Sequence, residues 1–597
     1  MAQSFFRPSA DKVIEVFDGD PVFHAELQRF YEMRFDDGRY LFRRYQLDEE
    51  GAEINLFEVE VDWILGSGKH SRTYVYQTDM GELYQLPLAW YTQTQSWAMA
   101  PGFELPQHSG IARPVRRECM FCHNAYPDVP SGSDDYSRLH TFPQQLPAGI
   151  GCQRCHGPGA EHVRAAIGAD PTEAQLKSTI VNPARLSPRL GRDICYQCHM
   201  QPSVSLFGVR RFDRGDYSYR AGEALPDYVV KMDIVDETAP KEERFEINHH
   251  PYRLEQSRCF TASDGKLGCL TCHDPHRTVP AASRIEHFRS ACLSCHQEHG
   301  CARTASTEME GRHERDTDTS DCVSCHMPKR RTQDVVEVVM TDHLIRRHPG
   351  GPELLAPLEQ QLPVIVDVVP LDPERAPTGR WSEVYRTVAV LRTVPIGAAI
   401  DHLERLLDLV APRRLTPSLE LGRAQLKAGR YGAARATLED VVKIWPESAK
   451  ARDLLGVALA RTGSTDEALN SFSRAIDLTP SDPQPHFNMG RVLLTADQHE
   501  TALVHLKRAT RLRPNLAVAW LYLGRTYQQL GRTSDAVQSY ERALAIEPSY
   551  RQAYIDLARL LVALDQTESA RRYLQHGSRV VPDPKLLTDA LVGLSSE

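Results

Sequence analysis

Twelve of the fourteen cysteines fall into six copies of one pattern, Cys-x-x-Cys-His. The copies are CMFCH (Cys119, Cys122, His123), CQRCH (Cys152, Cys155, His156), CYQCH (Cys195, Cys198, His199), CLTCH (Cys269, Cys272, His273), CLSCH (Cys292, Cys295, His296) and CVSCH (Cys322, Cys325, His326). Such a spacing can serve three chemistries. A structural zinc ion needs four N or S ligands in a tetrahedron, so one copy could not complete it and nothing would fix His after the second Cys. A redox dithiol of the thioredoxin type appears once, near a βαβ pattern, and needs no such His. In c-type haem attachment the two thiols form thioethers with the porphyrin and the next residue, His, ligates the iron. All three residues then serve one cofactor, and the sequence expectation is six covalently bound haems c.

A six-coordinate iron takes a second axial ligand, and eighteen of the 24 histidines lie outside the motifs. His162 follows the GPG turn of CQRCHGPGAEH, His276 sits in CHDPH, His313 precedes the sixth motif, and His343 lies in VVMTDHLIRR. His70 in LGSGKHSR and His24 in DPVFHAEL are the distal candidates of the N-terminal part, with His108, His140, His249, His250, His287, His299 and His348 as alternatives. His486, His499, His505 and His576 read as surface residues of a C-terminal repeat region. The two cysteines left over, Cys259 and Cys301, form a disulfide or remain free thiols.

Haem c attachment takes place outside the cytoplasmic membrane, so the motifs predict a periplasmic or otherwise extracytoplasmic protein. The N-terminus MAQSFFRPSADKVIEVFDGD has no signal-peptide pattern, which conflicts with export and points to a truncated start. The 79 acidic and 70 basic residues predict no nucleic-acid surface, and no apolar run is long enough to span a membrane.

Residues 1–105 read as a β-rich region packed on the haem domain: RYLFRRYQL, INLFEVEVDWIL, RTYVYQT and LYQLPLAWY are rich in aromatic and β-branched residues and bounded by turn signals. Residues 106–350 carry all six motifs with little periodicity and many Pro and Gly, as in an irregular, mostly helical chain wrapped around haems. Residues 351–380 read as a Pro-rich linker. Beyond them Gly422, Gly456, Gly490 and Gly524 recur 34 apart, in register with Ala434, Ala468, Ala502, Ala536 and Ala570 and with Pro446, Pro480, Pro514, Pro548 and Pro582. That register is similar to the tetratricopeptide repeat, a helical hairpin per 34 residues. Five repeats are expected over 415–584, preceded by a degenerate helical cap at 381–414 and followed by a tail at 585–597. The fold class is therefore multidomain: β region, multihaem domain, all-α solenoid.

Taken together, CMFCHN, CQRCHGPGAEH, CLTCHDPH, CVSCHMPKRR and VVMTDHLIRR resemble the bacterial multihaem cytochromes c of the cytochrome c-552/4 group fused to tetratricopeptide repeats. The resemblance implies an exported leader and a further CxxCH just upstream of MAQSFF, hence a seventh haem in an untruncated form. It also matches His70, His162, His276, His313 and His343, and less closely His24, to positions suited to distal ligation. The function it implies is electron transfer between redox partner proteins through the haem chain, with the repeats docking a protein or peptide on their concave face or joining copies of the chain. Two alternatives stand beside it. One is an oxidoreductase acting on a small nitrogen or sulfur oxyanion at an open-coordinate haem, for which no catalytic residue is assigned. The other is a repeat scaffold with redox-sensing haems.

Overall fold

The computed structural model describes residues 4–129, 139–168, 170–201, 203, 206, 208–296, 321–347, 350–393 and 397–595. It divides into two compact units, one of Met1–Gly151, Phe212–Tyr217 and Pro377–Glu597, the other of Cys152–Arg211 and Ser218–Ala376.

The first unit begins with ten strands: β1 (Phe5–Phe6), β2 (Val22–His24), β3 (Arg29–Asp36), β4 (Arg39–Leu47), β5 (Glu53–Glu60), β6 (Trp63–Leu65), β7 (Ser71–Gln77), β8 (Leu83–Tyr91), β9 (Ser96–Met99) and β10 (Arg113–Val115). They form two antiparallel sheets, one ordered β2-β3-β4-β5, the other β1-β6-β7-β8-β10 with β9 also on β8. The β3–β4 hairpin closes on two residues of positive φ, Asp37 and Gly38, so that Asp36 faces Arg39. Such a loop matches the right-handed twist of its strands. Tyr31, Met33, Tyr40, Phe42, Tyr74 and Trp90 fill the core between the sheets. Within it lies one carboxylate. Glu15 accepts hydrogen bonds from Tyr40 (2.7 Å) and Tyr74 (2.8 Å) and pairs with Arg72 at 3.0 Å. Burial alone would raise its pKa, but the Ile14 N–H, the two phenols and Arg72 outweigh burial and hold it below the usual carboxylate range.

The same unit continues as helix pairs. Arg380–Thr393 with Gly397–Leu409 is followed by Leu415–Lys427 with Tyr431–Ile444, Ala449–Arg461 with Thr465–Leu478, Pro483–Thr495 with His499–Leu512, Ala517–Gln529 with Thr533–Ile546, and Arg551–Ala563 with Thr567–Val580. A last helix, Lys585–Ser595, buries Leu587 against the array. The repeated glycines have a steric cause. A Cβ on Gly422, Gly456, Gly490 or Gly524 would lie 2.5 to 2.7 Å from Leu438, Phe472, Leu506 or Tyr540, the large residue of the partner helix. First helices of successive repeats touch one another, and second helices make no comparable contact, so the array curves with its first helices inside.

The sheets and the repeats share one core. Ile546 is buried among Tyr31, Phe57 and Tyr76, and Trp520 and Ala517 pack against the same cluster. Arg29 pairs with Glu547 at 2.7 Å, Arg513 with Glu82 at 2.6 Å, and Asn515 donates to the Tyr76 hydroxyl at 2.6 Å. Arg44 donates to the carbonyls of Ala545 and Ile546, which end a helix and have no partner within it. These contacts run from strands β3, β4, β5 and β7 and from Glu82, just before β8, to the loops between repeats, to the end of helix Thr533–Ile546 and to the first turn of helix Ala517–Gln529.

The second unit is built of short helices and three two-stranded ladders. One of them pairs Met232–Asp236 with Ile365–Pro370, so a strand stands inside the segment expected to be a linker. Its interior holds Arg253 and Asp342, both with fully buried side chains, 2.8 Å apart. The expected fold class is corrected here. In place of one small sheet followed by an irregular multihaem cytochrome domain, the N-terminal third holds two antiparallel sheets that run on to Val115, and the long regular helices belong to the repeat solenoid. Strands β1, β2, β3, β9 and β10 add to those read from the sequence.

Gly524→Ala is expected to cost about 1 to 3 kcal/mol by forcing its methyl against Tyr540. Gly432→Ala, also helical but with open space around it, should change stability by less than about 1 kcal/mol in the stabilising direction. Urea denaturation of both variants checks this. Glu15→Gln is expected to lose about 2 to 4 kcal/mol at neutral pH by leaving the Arg72 guanidinium buried beside a neutral amide. Because the folded carboxyl titrates below the unfolded one, the difference from the natural chain should be constant above about pH 5 and shrink as pH falls through the folded value. Equal losses at pH 7 and pH 3 would contradict that assignment.

Candidate functional site

Each described Cys-x-x-Cys-His segment sits on or beside a short helix, the form that brings residues three and four apart to one face. In the first unit Arg117–His123 carries Cys119, Cys122 and His123, and burial pushes the Cys119 thiol up to about 11. His24 closes β2 with its Nε2 3.1 Å from the Glu104 carbonyl oxygen. His70 precedes β7, its carbonyl accepting from the Thr92 N–H at 2.8 Å.

In the second unit Gln153–His156, Pro188–His199, Cys269–Cys272, Arg284–Leu293 and Cys322–His326 carry or adjoin the other five motifs. Asp321 caps the last of these helices, accepting from the Val323 and Ser324 N–H groups. The imidazoles are held by backbone carbonyls: His156 Nδ1 lies 2.7 Å from Val181 O, His326 Nδ1 2.7 Å from Arg346 O and His343 Nδ1 3.1 Å from Thr341 O. His276 stacks on His156 with ring centres 5.8 Å apart, and His343 lies 6.2 Å from His273 and 4.6 Å from His250, which in turn faces His199 at 6.0 Å. Burial, and then the neighbouring imidazoles, push His250 well below the usual histidine range and His343 down to about 4. Hydrogen bonding between two motifs raises the Cys195 thiol and lowers that of Cys269. Cys292 is pushed up to about 11 by burial and by the adjacent Cys322.

Thus two distal candidates, His276 and His343, meet a motif histidine, and so does His250 from among the alternatives. His162 instead places Nδ1 3.1 Å from Leu176 O and from Thr179 Oγ1. His313 and Cys301 lie outside the described residues, so the Cys259–Cys301 pair does too. His486 and His576 are not surface residues. The first is buried beside His505, with Nδ1 atoms 3.2 Å apart, and the second donates from Nε2 to Gln46 Oε1 at 3.1 Å.

The repeats offer a second site. A cleft of about 330 Å³ opens among the C-terminal ends of the first helices, lined by Arg525, Gln528, Gln529, Tyr540, Asp556 and Arg559 among others. Arg525 bridges to Asp556 of the following repeat at 2.6 Å, and Tyr540 donates to Gln528 at 2.9 Å. Arg525 belongs to a row that a search for cysteine and histidine passes over. Arg423, Arg491, Arg525 and Arg559 recur in the 34-residue register, immediately after Gly422, Gly490, Gly524 and Ala558. The signal was present in the sequence as the residue next to each small one.

Tetratricopeptide-repeat family models match residues 419–483 and 487–551, and residues 527–589. No curated protein matches the chain. Among solved structures it is similar to MamA from Desulfovibrio magneticus RS-1, 20% identical over 30% of this chain and 96% of that one with a TM-score of 0.26. It is similar also to YrrB, a repeat protein with an unusual peptide-binding site, at 18% identity over 32% and 98% with a TM-score of 0.27. A third is PilF of Pseudomonas aeruginosa, at 21% identity over 30% and 84% with a TM-score of 0.28.

These findings correct the expected family and function. The matches are to tetratricopeptide repeats, in place of the multihaem cytochromes c of the c-552/4 group. They support a repeat scaffold for protein docking, in place of an electron-transferring or oxyanion-reducing haem protein with redox partners. The expectation of six haems c, with a seventh upstream, is likewise not carried forward, nor are the iron, metal-binding and oxidoreductase descriptions that rested on it. Among the described residues no group of three or more His, Cys, Asp or Glu is placed to hold a metal ion. The absorption spectrum of the purified chain is the direct check on this correction, since a Soret band would reverse it. No helix among the described residues is long and apolar enough to cross a membrane.

Arg525 and Asp556 should couple by about 1 to 2 kcal/mol in a double-mutant cycle with Arg525→Met and Asp556→Asn, because Asp556 is nearly buried while solvent screens the partly open arginine. A coupling indistinguishable from zero in thermal denaturation would show the two repeats to be joined by packing alone.

Proposed function

We propose that this chain docks a partner protein by holding a segment of it against the inner face of repeats three to five. The observation that carries the reading is the division of the solenoid's surfaces. One edge of the array, made of the loops between repeats and the adjoining helix ends, is filled by the chain's own sheets, with Arg29 and Arg44 meeting Ile546 and the residues beside it and Trp520 packing on the sheet core. The inner face keeps an open cleft with polar side chains aimed into it. A short extended segment suits such a surface, since its backbone can hydrogen-bond to Gln528 and Gln529 while its side chains meet the row of first helices.

Removing residues 381–597 would not test this cleanly, because it bares the apolar seam and strips Arg29 and Arg44 of their partners. Point substitutions avoid the difficulty. Peptides selected from a random library on the full chain are expected to lose at least about tenfold in affinity when Gln528 and Gln529 are both replaced by Trp, which fills the cleft. Replacing exposed Lys443 on an outer helix should leave affinity within about twofold. Peptides indifferent to the cleft-filling pair, measured by fluorescence anisotropy, would overturn the reading.

A further inference from the structure

The chain carries a net charge of −9, yet the inner face of its repeats carries arginines in register. Their pairing follows the position three residues earlier in the repeat. In the fifth repeat that position is Asp556, and it neutralises Arg525 of the fourth at 2.6 Å. Thirty-four residues to either side, the equivalent position is Tyr522, following Arg491, and Ala590, following Arg559. Neither can accept an ion pair. Accordingly, among the described residues, the Arg491 guanidinium lies over the Phe487 ring at 5.9 Å, and neither it nor the Arg559 guanidinium enters a hydrogen bond or ion pair. Arg423, in the first repeat, is matched by Glu420, which also takes Arg392. The carboxylates facing the cleft are Asp556, already engaged by Arg525 and Gln552, and Asp497, which is exposed.

We infer that the segment docked on this face is acidic, and that its carboxylates meet the guanidinium groups of Arg491 and Arg559 on either side of the Arg525–Asp556 bridge. The inference rests on the docking reading above and adds the chemistry of the partner. A guanidinium offers a planar fork of donors that fits a carboxylate with two parallel hydrogen bonds, and an unpaired one has that fork available. Charge complementarity is the argument for the occupant. A basic segment would meet two unmatched positive charges, and a neutral one would leave them unanswered.

The test uses the full chain and two fluorescein-labelled peptides of equal length, oligoglutamate and oligoglutamine, read by anisotropy. Oligoglutamate is expected to bind, to weaken as salt is raised, and to lose at least about tenfold in affinity in the Arg491→Glu/Arg559→Glu variant. A control variant, Lys443→Glu/Arg474→Glu, makes the same change of charge on outer helices and should lose less than about twofold. Circular dichroism melting confirms that both variants fold. Equal binding of oligoglutamine, equal loss in the two variants, or no binding of oligoglutamate overturns the inference. Library peptides that need the cleft but carry no acidic residues would sink this inference alone, leaving the docking reading standing.

Discussion

Two guanidinium groups buried at the end of one helix hold the first unit together. Helix Thr533–Ile546 ends with carbonyls that have no partner inside the helix and with the negative end of its dipole. Arg44, from β4, reaches the carbonyls of Ala545 and Ile546, and Arg29, from β3, pairs with Glu547 just beyond. Burial and the neighbouring Arg29 bring the Arg44 guanidinium down to about 10, so its charge is disfavoured there even with those carbonyls in place. Neither arginine could be buried in a free sheet, and the helix end could not be buried in a free repeat array. The sheets and the solenoid therefore complete one another.

That constraint decides which surface of the repeats is open. The sheets dock on the loops between repeats, where Asn515, Glu547 and Ser549 supply polar partners and Ile546 supplies the apolar one. The first helices curve the other way, packed on their partners through the glycine contacts that let Tyr540 or Phe472 lie against bare backbone. An array fixed along one edge presents its inner face with less freedom than an isolated solenoid. Less conformational entropy is then lost when a segment binds.

The repeat register was legible in the sequence because its cause is steric: only a residue without a side chain fits under Leu438, Phe472, Leu506 and Tyr540, and the requirement returns every 34 residues. Strands β4, β7 and β8 were legible from their aromatic and β-branched content. β3 was passed over although Tyr31, Met33 and Phe35 alternate with Glu32, Arg34 and Asp36 as in a half-buried strand; what its sequence does not carry is that Arg29 is buried against a residue 518 positions away. The linker reading of residues 351–380 failed at Ile365–Pro370, where Val368 is buried in a ladder despite the surrounding prolines. The six Cys-x-x-Cys-His segments were plain in the sequence. Sequence spacing places an imidazole beside its own two thiols, but it carries no information about which distant histidine it faces. The meeting of His156 with His276, and of His273 with His343, emerges only in three dimensions. His162, six residues beyond its motif, turns instead to a backbone carbonyl.

The arginines of the two surfaces obey opposite rules. A buried guanidinium left unmatched is costly, so Arg29, Arg44 and Arg72 each have carboxylate or carbonyl partners. An exposed one can stand alone at little cost, so the bare state of Arg559 would mean little by itself. What gives it weight is the comparison within the repeat. The same two positions that make an ion pair between the fourth and fifth repeats are filled by Arg491 with Tyr522 and by Arg559 with Ala590. The array can form the bridge and does so once, at the middle of the cleft. On either side of that bridge it keeps the cation and omits the anion, which leaves the guanidinium groups of Arg491 and Arg559 without a carboxylate of their own on the inner face.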